Sequence, residues 1–215
     1  MRMICLLKSL AACTVITSLI SCATPPKNYL PNKVSGAWEA KAQIKDLANN
    51  KSYQVNLAII AKQPASLRMD VTATLGVAVA SMALHENQVQ YSLYRQQKFY
   101  EGELSDRALL PLFKINMNPK LLMNICFDIP ITDQGWSCVQ DEAGLPESCA
   151  RGLAGPKIRW LSRSGEQKRV VIEDKSFELQ VVFKTFAPYD SVKNESEKNP
   201  FQLDSPKDFA KYKIN

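Results

Sequence analysis

The stretch that decides the fold is Gly36-Ala37-Trp38-Glu39-Ala40-Lys41-Ala42-Gln43-Ile44-Lys45. Apolar and polar residues alternate within it, so that one face of an extended chain carries Trp38, Ala40, Ala42 and Ile44. A period of two with one apolar face is typical of an antiparallel strand that is covered on one side only. The stretch therefore predicts a half-buried β-strand.

The same alternation recurs along the chain. It is found in Tyr53–Ile59, Leu67–Val71 and Val89–Leu93, and again in Lys157–Leu161, Gln167–Glu173 and Phe177–Phe186. Turn-forming pairs such as Asn49-Asn50 and Ser164-Gly165 separate these segments. Short connections favour a meander, in which strands that follow one another in sequence are neighbours in the sheet.

The middle of the chain breaks this pattern. Ser105 is placed to cap a helical turn that ends at Pro111, and Asn118-Pro119 is a typical helix start. The segment that follows, Lys120–Phe127, is apolar nearly all round, so we expect a buried helix. Together the segments predict a mainly β fold, in which short helices cover the concave apolar face of one curved antiparallel sheet.

The first residues of the chain predict a secretory signal. Arg2 and Lys8 accompany the apolar run Leu10–Ile20, which is shorter than the roughly 20 residues that a membrane-spanning helix needs. The ending Leu19-Ile20-Ser21-Cys22 resembles the bacterial lipoprotein processing box, which implies cleavage before Cys22 and acylation of its thiol. Ala23, in place of an aspartate that retains lipoproteins in the inner membrane, implies an anchor on the periplasmic face of the outer membrane. The alternative is an ordinary signal with a chance cysteine.

These features divide the chain into four segments. We predict a lipoprotein signal peptide (1–21), a lipidated tether (22–35), an open β-barrel domain (36–187), and a charged linker with a C-terminal segment (188–215). Three prolines, Pro25, Pro26 and Pro31, favour an extended tether. Phe201–Phe209 is expected to dock back as a last strand.

Three cysteines remain beyond the signal and Cys22, namely Cys126, Cys138 and Cys149. Because the periplasm permits disulfides and a turn-rich segment separates Cys138 from Cys149, we predict a bridge between these two. Three buried thiols are the alternative. The only histidine, His85, is far from the cysteines and is expected in a surface turn, so no zinc site is predicted.

Composition argues against several classes of protein. The formal net charge of +6 falls to about +4 once Arg2 and Lys8 leave with the signal, and no dense basic run indicates nucleic-acid binding. The sequence contains no phosphate-binding glycine loop, no Gly-x-Ser-x-Gly elbow and no His-Glu-x-x-His helix. We therefore predict a non-enzymatic protein with no catalytic residues, metal or cofactor.

Three segments resemble the periplasmic lipoprotein-carrier family, the LolA and LolB proteins. They are Leu67-Arg68-Met69-Asp70-Val71-Thr72-Ala73-Thr74-Leu75-Gly76, Lys98-Phe99-Tyr100-Glu101-Gly102 and Phe201-x-Leu203-x-x-Pro206, the first being closest to the outer-membrane receptor LolB. The resemblance implies an incomplete antiparallel barrel of about eleven strands, with short helices as a lid over an apolar cavity. The gating arginine of the carriers has no counterpart that can be placed on this sequence.

The resemblance also implies a function. The chain would bind the acyl chains of lipoproteins in its cavity and help to insert them into the outer membrane, with a soluble carrier and acylated lipoproteins as partners. Leu75 and Gly76 would form a loop that faces the membrane. Candidates for lining the cavity are Trp38, Tyr53, Met69, Met82, Leu121, Leu122 and Ile125. The alternative is a non-catalytic structural lipoprotein that uses the same fold to bind a protein partner.

Replacing Cys22 with serine tests the predicted anchor. The Cys22→Ser precursor should keep its signal and lack the mass of the acyl groups, because the diacylglyceryl group is transferred to the cysteine thiol. Intact-mass spectrometry of the membrane fraction measures both. Cys13→Ser, within the apolar run, is the matched control and should be processed like the parent chain. Normal cleavage of Cys22→Ser with full membrane attachment would contradict the prediction.

Overall fold

The computed structural model describes residues 33–110, 116–189 and 199–214. The predicted signal peptide, the lipidation site Cys22 and the helix-ending Pro111 lie outside these residues. Within the described ranges, no helix has the length and apolarity needed to cross a membrane.

One curved sheet forms the body of the protein. Its strands are β1 (Ser35–Asp46), β2 (Lys51–Lys62), β3 (Ser66–Ala73), β4 (Ala78–His85), β5 (Gln88–Leu93), β6 (Lys98–Glu103), β7 (Trp136–Gln140), β8 (Pro146–Arg151), β9 (Lys157–Ser164), β10 (Gln167–Glu173), β11 (Phe177–Ala187) and β12 (Ala210–Ile214). The spatial order is β12-β6-β5-β4-β3-β2-β1-β11-β10-β9-β8-β7, so the sheet stays open between β12 and β7. All neighbours are antiparallel except β12 and β6, which run parallel.

The meander gives the sheet two rims. On the first, which we call the Leu75 rim, lie the connections 47–50, 74–77, 94–97, 152–156 and 174–176. On the other, the opposite rim, lie the connections 63–65, 86–87, 141–145 and 165–166. Ser35 also begins β1 at the opposite rim, since it pairs with Lys62.

The concave face holds the main core. The inward residues of the alternating strands, such as Trp38, Leu57, Met69 and Phe183, are buried there with α1 (Lys120–Phe127). The predicted mainly β fold with short helices over a curved antiparallel sheet is confirmed.

The C-terminal segment differs from the prediction in one respect. The last strand is Ala210–Ile214, whereas Phe201–Phe209 contributes no strand. Leu203 instead packs with Ala83 and Phe99 on the convex face, and its N–H donates to Gln90 Oε1 at 2.8 Å. Pro206, which has no N–H to donate to a ladder, lies inside the predicted strand.

Strands β7 and β8 were not expected from the sequence. They form a hairpin in which Cys138 lies opposite Cys149, and the two are joined by a disulfide. Cys126 is the free, buried cysteine among the described residues.

Counting thiols tests this pairing. Mature protein that is denatured without reductant should present one thiol, Cys126, because Cys22 is predicted to be acylated. Three reactive thiols would contradict the pairing. The double change Cys138→Ala and Cys149→Ala should lower the free energy of unfolding by about 3 kcal/mol, because the bridge restricts the unfolded chain. Urea denaturation measures this loss against the parent chain.

Candidate functional site

The helix α1 lies on the concave face because its ends are defined and its surface is apolar. Asn118 Oδ1 accepts the N–H of Lys120 at 2.9 Å at the start. Asp128 ends the helix in the left-handed region, at a φ of 53°, with its N–H bonded to Asn124 O. Leu121, Met123, Ile125 and Cys126 are buried against the sheet and the neighbouring loops.

A small closed cavity lies between α1 and the sheet. Its volume is about 30 Å³, which is room for about one water molecule. Every side chain around it is apolar: Ala42, Val55, Leu57, Ile59, Leu67, Met69, Leu109, Met117, Leu122, Ile125, Cys126, Ile172, Leu179, Val181 and Phe183. In this conformation α1 fills most of the space between itself and the sheet.

Toward the Leu75 rim, the concave face is an open groove. Its volume is about 970 Å³, within the range of about 300–1,000 Å³ that is usual for small-molecule sites. Its apolar walls include Ile44, Tyr53, Val55, Val71, Ala73, Val77, Val79, Ala80 and Leu93. Arg95 and Gln96 also border it. Val55 lines both the groove and the closed cavity, so the two spaces are neighbours.

Exposed apolar residues gather where the groove opens. Leu75, at the tip between β3 and β4, is 92% exposed, and Val77 next to it is 65% exposed. Leu47 and Tyr53, from the β1–β2 hairpin, are each 52% exposed. The groove and its exposed mouth thus form one apolar surface, which extends from solvent to the part of the concave face that α1 covers.

A buried lysine, Lys168, binds the C-terminal end of α1. Lys168 Nζ donates to Ile125 O at 2.5 Å and to Cys126 O at 2.7 Å, two carbonyls of the last helical turn. It also forms an ion pair with Asp128 Oδ2 at 3.2 Å. A cation at this end of a helix is favourable because the last carbonyls carry partial negative charge.

The Asp128 carboxylate holds this arrangement together. Its Oδ1 accepts the indole N–H of Trp160 at 2.8 Å and lies 3.5 Å from Arg163 Nε. Burial lowers the pKa of Lys168, and the neighbouring Asp128 carboxylate opposes this shift. The cluster Lys168, Asp128, Trp160 and Arg163 therefore ties α1 to β9 and β10.

The predicted lining residues are found in several places. Met69, Leu122 and Ile125 line the closed cavity, and Tyr53 lines the open groove. Met82 and Leu121 are buried in the core but line neither space. Trp38 packs edge-on against Phe127, with ring centroids 5.2 Å apart.

Sequence reasoning missed Lys168, although the pattern contains a signal for it. Lys168, Val170 and Ile172 alternate along β10, so the lysine shares the apolar face of that strand. A lone charge at an inward position needs partners, since burying an unpaired charge is costly. Its partners, Asp128 and the helix carbonyls, lie about forty residues away in sequence and could not be identified from the pattern.

Reactive groups are few near this site. Burial raises the pKa of the Cys126 thiol to about 12, which disfavours the nucleophilic thiolate. His85 is exposed, and its Nδ1 lies 3.1 Å from Ser66 Oγ. Across residues 33–110, 116–189 and 199–214, no three metal-ligating side chains come together.

Among known proteins, several solved structures are similar to this chain. No family model matches the sequence, and no curated protein matches it significantly. A DUF1329 family protein from Desulfovibrio piger is 12% identical with a TM-score of 0.49, covering 74% of this chain and 87% of that one. A LolA superfamily protein from Nitrosomonas europaea is 9% identical with a TM-score of 0.45, covering 74% and 87%.

A third similar structure comes from Vibrio parahaemolyticus and is described as an outer membrane lipoprotein-sorting protein domain. It is 7% identical with a TM-score of 0.45, covering 73% of this chain and 86% of that one. At these identities and TM-scores, the likeness carries no residue, ligand or activity over to this chain.

Replacing Lys168 with methionine tests the anchoring of α1. Lys168→Met should lower the free energy of unfolding by about 3–5 kcal/mol, because it leaves two helix carbonyls without their donor and Asp128 Oδ2 without its lysine partner. The matched control is Lys45→Met, whose lysine pairs with Glu178 at 2.7 Å but is 41% exposed. That change should cost less than about 1 kcal/mol. Urea denaturation compares the two, and equal losses would contradict the assignment.

Proposed function

We propose that this protein is a LolB-like receptor of the outer membrane. It takes the acyl chains of lipoproteins into the concave face of its sheet and helps to insert them into the membrane. The observation that carries the proposal is the apolar groove of about 970 Å³ that borders the cavity under α1 and opens at Leu75. The groove offers acyl chains the apolar contact that water does not.

Binding is driven by removing acyl chains from water. Each buried methylene contributes about 0.8 kcal/mol, so a long chain gains enough to displace part of α1 as well as to fill the open groove. The closed cavity of about 30 Å³ cannot hold such a chain until the helix moves. Displacement would begin at Leu122, which lines the cavity, while Lys168 holds the last turn in place at Ile125 and Cys126.

Release requires a path from the groove into the membrane. Leu75 projects at the mouth of the groove, where its side chain can enter the lipid surface and lead the acyl chains outward. No nucleotide-binding motif is present in the sequence, so the transfer would run from weaker to tighter binding without an energy-supplying step.

The tether is long enough for this geometry. Ser35 begins β1 at the opposite rim, and the 12 residues of β1 separate that rim from the Leu75 rim by about 40 Å. Gln63 holds Lys33 and Val34 at the opposite rim, so the free tether runs from Cys22 to Lys33 and spans at most about 36–40 Å when fully extended. A fully extended tether therefore just brings the Leu75 rim to the membrane in which Cys22 is anchored.

A structural lipoprotein that binds a protein partner is the second candidate. The observation that favours it is the close packing of α1 on the sheet, which leaves only about 30 Å³ beneath the helix. In such a protein the helix would be permanent core, and the groove would contact a partner and not a lipid.

Replacing Leu75 with glutamate separates the two candidates. A receptor carrying Leu75→Glu should still accept a lipoprotein from its carrier but deliver it to vesicles at least about tenfold more slowly. The reason is that a leucine buried in the lipid surface stabilises the membrane-bound state by about 1.5–3 kcal/mol, and the glutamate loses this contribution. The assay uses full-length anchored protein and measures the lipoprotein bound and the lipoprotein delivered. Val139→Glu is the matched control, since Val139 is 60% exposed on β7, away from the Leu75 rim.

A slower delivery step with normal acceptance supports the receptor. Unchanged delivery by Leu75→Glu, or an equal loss in Val139→Glu, would contradict it. A structural lipoprotein would show no delivery in either variant.

A further inference from the structure

A second exposed leucine lies at a hairpin tip on the same rim as Leu75. Leu153, between β8 and β9, is fully exposed at 101%. Gly152 precedes it with a φ of +59°, as Gly76 follows Leu75 with a φ of +81°, and a Cβ at either glycine would meet no atom within 4 Å. Both tips therefore project into open space, and neither leucine packs on the protein that carries it.

The two rims differ in the chemistry of their tips. The connections of the Leu75 rim carry Leu47, Leu75, Val77 and Leu153 as exposed apolar residues. Those of the opposite rim carry exposed acids and amides, namely Glu86, Asn87, Glu142 and Glu166. The large exposed apolar residues near that rim are Val34 and Val139, which lie outside its connections. Single exposed apolar residues are common on soluble proteins, but their concentration on one rim indicates an interaction surface.

Charge follows the same division. Exposed cationic side chains stand on or beside the connections of the Leu75 rim at Lys51, Arg95, Lys157 and Lys175. The charge of the Glu173 carboxylate is matched by Arg159. Asp46, Asp174 and Asp208 are the other acids at this rim, so the cations outnumber these carboxylates. Apolar tips beside an excess of exposed cations suit a surface of anionic phospholipids, into which leucines insert while lysines contact the headgroups.

We infer that Leu153 is a second point of contact with an anionic phospholipid surface, so that the Leu75 rim meets the membrane at two separate hairpins. Two separated contacts restrict the tilt of the domain on the membrane more than one leucine can. The groove then opens against the lipid surface beside the Leu75 tip. This inference rests on the proposed function, since it assigns the membrane-facing surface of the same site.

The test places a fluorescent label at each tip of the full-length anchored protein. Leu153→Cys and Leu75→Cys each add one accessible thiol, since Cys138 and Cys149 are bridged and Cys126 is buried. Ala143→Cys, on the opposite rim between β7 and β8, is the matched control. Each protein carries an environment-sensitive nitrobenzoxadiazole label and is reconstituted into vesicles of phosphatidylethanolamine and phosphatidylglycerol that contain spin-labelled lipid.

The expected result is quenching of the labels at 153 and 75, with a blue shift of their emission, and no change at 143. Replacing phosphatidylglycerol with phosphatidylcholine should reduce the quenching at 153 at least about threefold, because the cations lose their partners. Quenching that is equal in the two kinds of vesicle would overturn the anionic preference.

Three outcomes separate this inference from the proposed function. Quenching at 75 with none at 153 would overturn the second contact and leave the receptor proposal intact. No quenching at either tip would overturn both. A label at 153 that responds to the soluble carrier protein and not to vesicles would assign the tip to a protein partner and overturn the inference.

Discussion

An apolar face on a curved sheet has to be covered, and the rest of this structure depends on how α1 meets that constraint. The sheet has 12 strands, but the helix on its concave face has only 8 residues. It is held by Lys168, whose ammonium group donates hydrogen bonds to carbonyls of the last helical turn and forms an ion pair with Asp128. Because the helix is short, the face is covered where Lys168 lies and open toward the Leu75 rim.

This partial cover links the fold to the proposed function. The open groove and the filled cavity share Val55. In the proposed function, an acyl chain that enters at the rim would advance by displacing apolar side chains of α1, and the charged cluster at the far end would keep the helix attached. A helix without polar anchoring could leave the sheet altogether, and one anchored at both ends could not yield.

The alternating strands and the apolar helix were predictable, because each is a local pattern with one buried face. Strand β4 was not, since Ala83 packs under Phe99 and Leu203 on the convex side and both faces of the strand are covered. Alternation disappears in such a strand. The helix anchor was also missed, because Lys168 and Asp128 meet only after the chain has folded. Leu75 was identified through family resemblance, and its exposure became evident only in the folded chain.

Photochemical mapping of a bound acyl chain shows whether the concave face receives it. Full-length protein is loaded with a diacylated lipopeptide that carries a diazirine in one acyl chain, then irradiated, and the sites of attachment are identified by tandem mass spectrometry. We expect attachment to concave residues around Val55, including Val71 and Leu93 of the groove and Leu122 of the helix. Attachment confined to the convex face, or none at all under conditions where the lipopeptide is bound, would contradict this expectation.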